Sequence, residues 1–233
     1  MIPQSIEILI PTYNEEKNIE IVIKKCLSWL KNQTKDFGIL IVDDGSTDNT
    51  GKILDSLAEK DKHLKVIHNR KNLGNGETLK IAYENSTKDI ILSCPADQQF
   101  DPADFSRVLP YVNQSDIICV YRSKKPDYNL FRSFISNMHR LVLRIFFNLN
   151  IKDINWVKMY KKWTLKELDL KSKSVLINTE ILAKAKKRNA RIMEISAPYY
   201  NRIYGESKGT TLKHLWQVSL ELIKLYWTVK IFK

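Results

Sequence analysis

The chain has 233 residues, of which 43% are hydrophobic and 27% charged, and a formal net charge of +12. This is a globular composition that excludes disordered, collagen-like and low-complexity classes. Three cysteines without CxxC spacing argue against a disulfide framework and for a reducing compartment. In chain order, Ser5–Pro11 reads as a short apolar strand. Helical spacing of Ile19, Val22, Ile23, Cys26, Leu27 and Leu30 predicts a helix over Glu15–Trp29. Strand Gly38–Val42, helix Thr50–Glu59 (capped by Asn49 or Thr50), strand Leu64–His68, helix Thr78–Glu84 and strands Asp89–Ser93 and Ile117–Val120 follow. This alternation predicts an α/β fold with an open, mostly parallel sheet flanked by helices.

The second half reads as helix Phe131–Asn150, helix Val175–Asn189, strand Arg191–Ser196 and an amphipathic helix from Thr211 to Lys233. The expected division is a domain over 1–210 and a C-terminal amphipathic helix over 211–233. The N-terminus shows no secretory signal pattern, and no apolar run reaches the ~18–20 residues of a membrane span. Tyr121–Lys171 carries 12 basic and 4 acidic residues, so most of the excess charge lies there. Such a zone suits nucleic acid, anionic lipid or a phosphorylated substrate, or is a solvated basic face. No helix-turn-helix, RNP or zinc-finger pattern is present, so nucleic acid is not an expected partner.

In open parallel sheets, ligands bind beyond the carboxyl ends of the strands. After the first strand stands Pro11-Thr12-Tyr13-Asn14-Glu15-Glu16. Its aromatic ring can stack on a base, or the segment is helix-start chemistry with Asn14 as cap. After the second strand, Asp43-Asp44-Gly45-Ser46 places two adjacent carboxylates that need partners, whether a base N–H, a ribose hydroxyl or a capping turn. Gly74-Asn75-Gly76 fits neither GxxxxGK[ST] nor GxGxxG and reads as a close backbone turn before a helix. After the fourth strand, Asp97 and Gln99 would face one way if the segment is extended. They could then share a hard cation with substrate phosphates; the plain reading is a polar turn between Pro95 and Pro102.

This ordered set resembles the family 2 glycosyltransferases, which have the A-type nucleotide-sugar fold, and most closely their dolichol-phosphate mannosyltransferase branch. Tyr121-Arg122, Arg132, Asp153 and Arg202-Ile203-Tyr204-Gly205-Glu206-Ser207-Lys208 extend the match over nearly the whole chain. The resemblance implies an inverting hexosyltransferase that moves a sugar from a nucleotide-diphosphate donor, of GDP-mannose or UDP-glucose type, to a polyprenyl phosphate. Pro11, Tyr13, Glu15, Val42, Asp44 and Ala96 would hold the donor. Asp97 and Gln99 would bind Mg²⁺ or Mn²⁺. Arg122, Arg202 and Lys208 would contact phosphates and Arg132 would seat the acceptor phosphate, with Asp97, Arg122 and Arg132 as the catalytic set. It implies a cytoplasmic enzyme lying on the inner membrane face and leaves room for a membrane-anchoring partner protein.

Two departures stand out. Pro95 occupies a position where the family usually has an acidic residue, with Asp101 as a nearby substitute. Asn155-Trp156-Val157 replaces a frequent Ser-Gly-Phe stretch. Two alternatives therefore stay open: a surface-polysaccharide acceptor, and a degenerate, non-catalytic nucleotide-sugar binder.

Overall fold

The computed structural model describes residues 1–123, 130–202, 204 and 212–232, with side chains described outside 130–135 and 212–220. Among these residues, the strands are β1 (Ile6–Thr12), β2 (Phe37–Asp43), β3 (Leu64–His68), β4 (Ile90–Ser93), β5 (Ile117–Arg122), β6 (Lys158–Lys161) and β7 (Ile192–Ala197). The helices are α1 (Ile19–Leu30), α2 (Thr50–Lys60), α3 (Asn75–Asn85), α4 (Leu130–Phe147), α5 (Ile177–Lys187) and α6 (Leu212–Ile231). One sheet runs in the order β3-β2-β1-β4-β6-β5-β7. Every pairing is parallel except those of β6, which is antiparallel to both β4 and β5. The sequence reading anticipates each of these strands except β6.

Apolar runs such as IEILIPT and FGILIVD are buried on both faces, as central strands of a two-sided sheet must be. Ile6, Ile8 and Ile10 of β1 face one core with α1, Leu54 of α2 and Phe105. Leu9 faces the other, with Leu79 of α3, Leu143 of α4, Ile181 of α5 and Leu225 and Val229 of α6. The C-terminal helix thus shares the core of the sheet. Lys187 of α5 fixes its end by donating to the carbonyls of Val229, Lys230 and Phe232.

Two helix starts differ from the sequence expectation. α1 begins at Ile19 because Asn14 takes a left-handed conformation, φ 55°, and does not cap a helix. Its N–H donates to Ser46 Oγ at 2.9 Å and its carboxamide oxygen accepts the Thr47 N–H at 2.8 Å. Asn49 precedes α2 but makes no side-chain cap; its amide donates to Glu16 Oε2 at 2.9 Å. The loops after β1 and β2 are therefore stitched together. Gly45, with φ 68°, lies so close to Lys71 that a Cβ would stand 2.6 Å from that residue's carbonyl carbon. Only glycine meets both demands.

Candidate functional site

The carboxyl ends of β1, β2 and β4 open onto a cavity of about 750 Å³, a size suited to a small-molecule ligand. Its wall takes Pro11–Glu15 from the first loop, Asp44 from the second and Asn72, Gly74, Asn75 and Thr78 at the start of α3. Pro95, Ala96 and Asp97 follow β4, and Arg202 closes the rim from beyond β7.

The two adjacent carboxylates do find partners. Asp43 turns away from the cavity: it accepts the Ser46 N–H at 3.1 Å and lies 2.9 Å from His68 Nδ1. Asp44 Oδ1 accepts from Asn69 Nδ2 and the Leu73 N–H, both at 2.9 Å, and Oδ2 accepts the Gly74 N–H at 2.9 Å. It therefore shapes the loop that carries Asn72 as well as facing the cavity. Gly76, the second residue of α3, packs against the Lys173 and Ser174 carbonyls with no room for a Cβ.

Asp97 anchors the opposite wall. Its Oδ2 accepts from Arg202 Nη2 at 2.6 Å and its Oδ1 accepts the Gln99 N–H at 3.1 Å. Glu15 Oε1 stands 3.9 Å from the same guanidinium, so Arg202 sits between two carboxylates. Burial raises the Glu15 carboxyl above its ordinary range, against the opposing pull of the Asn18 hydrogen bond and the Arg202 charge.

The segment after β4 is not extended. Gln98 has φ 61°, and the chain turns tightly around Asp97. Gln99 consequently points elsewhere than expected, its Nε2 donating to Tyr199 Oη at 2.6 Å. Tyr199 in turn packs over Arg122, whose guanidinium lies 5.3 Å from that ring and 5.1 Å from Trp156. Arg122 Nη1 donates to Asp153 at 2.8 Å, and its buried Nε has no hydrogen-bond partner among the described residues. Trp156, in place of a small residue, thus forms the floor under Arg122, braced edge-on by Phe100 at 5.6 Å. The sequence signal for Tyr199 is faint: two tyrosines directly after a strand.

Of the expected site residues, Pro11, Tyr13, Glu15, Asp44, Ala96, Asp97 and Arg202 meet at the cavity. Gln99 and Arg122 form the adjoining cluster. Val42 is fully buried in β2, beneath the site. The Arg132 side chain and Lys208 lie outside the described residues. Asn72 and Asn75, from the segment read only as a backbone turn, join the wall together with Thr78, which was not singled out.

The donor set for a cation is sparse. Pro95 has no side-chain ligand, and Asp101 is committed to Lys25 at 2.8 Å and to the Ala103 N–H at 2.9 Å. Among the described residues, no group of three or more His, Cys, Asp or Glu could hold a metal ion. Mg²⁺ characteristically takes one or two carboxylates and completes its shell with water and phosphate oxygens. Asp97 supplies one such carboxylate at the cavity.

Residues 7–173 match the family described as glycosyl transferase family 2. The chain belongs to that family. It is 25% identical over 214 residues to an undecaprenyl-phosphate 4-deoxy-4-formamido-L-arabinose transferase of Pectobacterium carotovorum, covering 90% of this chain and 64% of that protein. It thus spans less than two thirds of that relative's length. An undecaprenyl-phosphate mannosyltransferase of Micrococcus luteus is 27% identical over 211 residues, covering 86% of this chain and 85% of the relative. The fold is shared with glucosyl-3-phosphoglycerate synthase from Mycobacterium tuberculosis, solved with Mn²⁺, UDP and phosphoglyceric acid. There the TM-score is 0.72 at 16% identity, over 99% of this chain and 80% of that one. Staphylococcus aureus TarS 1-349 in complex with UDP gives a TM-score of 0.66 at 20% identity, over 97% and 65%. The architecture is the A-type glycosyltransferase fold that the sequence motifs imply.

Proposed function

We propose that this family 2 glycosyltransferase is an inverting enzyme that moves a sugar from a nucleotide-diphosphate donor to a polyprenyl phosphate at a membrane surface. The observation that carries the reading is the single cavity formed by the loops after β1, β2 and β4, with Asp97 and Arg202 paired 2.6 Å apart at its rim. The names of the curated relatives, both undecaprenyl-phosphate sugar transferases, support the acceptor class.

In this reading Tyr13, Asp44 and the Asn72–Asn75 turn hold the nucleoside, while Asp97 and Arg202 face the diphosphate. A divalent cation bound with the donor through Asp97 would neutralise charge on the departing diphosphate. Arg202 keeps a guanidinium at the same place, where it can form paired hydrogen bonds to phosphate oxygens. Arg122, beside the Trp156 and Tyr199 rings, offers a positioned cation for the acceptor phosphate; Arg132 and Lys208 are proposed to assist it. A lipid monophosphate has its second pKa near ~6, so it is a nucleophile at neutral pH without a protein base. The protein's task is alignment of that oxygen with the anomeric carbon and stabilisation of the leaving group.

The acceptor chemistry is tested by supplying a polyprenyl phosphate or the matching polyprenol with a mixture of sugar nucleotides and reading the lipid by mass spectrometry. A glycosyl phosphodiester formed from the phosphate, and no product from the alcohol, is expected. A glycoside of the alcohol would refute the mechanism.

A further inference from the structure

A second cavity, of about 470 Å³, lies where the C-terminal ends of α4, α5 and α6 meet. It shares no lining residue with the donor cavity. Phe146, Tyr226 and Val229 give it an apolar wall, and Lys186, Lys187 and Lys230 also line it. Among the described residues, no carboxylate does. The helix ends explain part of this charge. Lys186 donates to the Asn148 carbonyl just past α4, and Lys187 directs its ammonium to the carbonyls of Val229, Lys230 and Phe232. A helix C-terminus carries about half a negative charge, so three of them offset about half of the three lysine charges. Lys230 has no oxygen partner among the described residues. Its ammonium lies 5.1 Å from the centre of the Trp227 ring and 5.8 Å from that of Tyr226.

The helices that form this cavity also expose apolar side chains: Ile145 on α4 and Trp227 and Ile231 on α6 are each more than half exposed. Positive charge over an aromatic wall, beside an exposed apolar stripe, calls for a ligand that carries an anion on hydrocarbon chains. The phosphodiester of an anionic phospholipid answers Lys186 and Lys230, whose ammonium groups keep N–H donors to offer. Its acyl chains then cover the rings and the neighbouring stripe. Free phosphate leaves that apolar surface in water. A zwitterionic headgroup brings a cation of its own against the lysines.

We infer that this second cavity is a headgroup site for an anionic phospholipid, separate from the site of either substrate. The inference rests on the reading that the protein works at a membrane surface. The full chain is sedimented with vesicles of phosphatidylcholine, and with vesicles in which part of it is replaced by phosphatidylglycerol. Lys186→Gln with Lys230→Gln removes the two available charges, and glutamine keeps a donor for the Asn148 carbonyl. Lys52→Gln with Lys60→Gln removes the same charge from α2, which packs on the opposite core. The first pair is expected to weaken binding to the phosphatidylglycerol vesicles roughly tenfold and to leave binding to phosphatidylcholine unchanged. The α2 pair is expected to bind as the parent does. Equal losses in the two pairs would make the attraction diffuse and overturn the site, as would no loss in the first. Dihexanoyl phosphatidylglycerol below its micelle concentration should also bind the parent in calorimetry. Inorganic phosphate or dihexanoyl phosphatidylcholine binding as tightly would overturn the phospholipid assignment. Sedimentation with neither vesicle would remove the membrane-surface reading together with the site.

Discussion

At the scale of single residues, the site consists of side chains whose partners limit what they can do. Asp97 lies at the cavity with its carboxylate paired to Arg202 at 2.6 Å. Asp97→Asn keeps the shape but removes that charge, and a loss of about 10²-fold or more in kcat/KM is expected, with an unchanged thermal transition. Retained turnover would show that the carboxylate is dispensable. Gln99 is placed to act through Tyr199, which it holds at 2.6 Å. Gln99→Leu and Tyr199→Phe should therefore have similar effects, and the double variant should be little worse than either, as expected for residues that share one interaction. An additive double variant, or a loss of metal dependence confined to Gln99→Leu, would instead make Gln99 a ligand in its own right. This pair also shows where sequence spacing fails. The i, i+2 rule places Asp97 and Gln99 on one side only in extended backbone, and the left-handed Gln98 between them breaks that premise.

At the scale of elements, the parallel strands are legible because their runs are rich in aliphatic and β-branched residues, as in the buried IEILIPT and FGILIVD. β6 is not, because its sequence is Lys-Met-Tyr-Lys, without a β-branched residue and with a lysine at each end. Its first lysine is the reason: Lys158 is 1% exposed and donates to the Trp156 carbonyl at 3.0 Å. Burial pushes its ammonium down to about 8, with Arg122 adding to the effect and Cys119 and Asp153 opposing it. Between that value and the ordinary lysine range near ~10.4, the unfolded chain holds a proton that the folded chain does not. Stability contributed at this position therefore rises with pH through that window. Lys158→Met, close in shape, is expected to be more stable than the parent near pH 7, by about 1–3 kcal/mol. That advantage should shrink as the pH approaches 10. Urea denaturation of both proteins at pH 7 and 9.5 checks this; a difference independent of pH would show that the lysine is not held near that titration range.

At the scale of the whole molecule, α4 and α6 lie together through Tyr226, whose ring meets Phe146 edge-on at 5.6 Å. Each helix leaves an apolar stripe uncovered: Met138, Leu141 and Ile145 on α4, and Ile223, Trp227 and Ile231 on α6. Among the described residues, no helix is long and apolar enough to cross a membrane, whereas basic residues beside exposed apolar stripes suit an interfacial surface. Because Leu225 and Val229 are core residues, deletion of the tail would unsettle the fold, and point changes are more informative. Trp227→Glu with Ile231→Glu is expected to lower co-sedimentation with anionic vesicles severalfold without changing nucleotide binding; equal co-sedimentation would separate these helices from the lipid. Transfer to lipid phosphate is read from where the sugar goes. Radiolabelled sugar nucleotides, incubated with the full chain, Mg²⁺ and undecaprenyl phosphate in detergent, should deliver label to the organic extract only when the lipid phosphate is present. Label that stays in the aqueous phase for every donor, while the nucleotides bind, would rule out transfer to lipid phosphate.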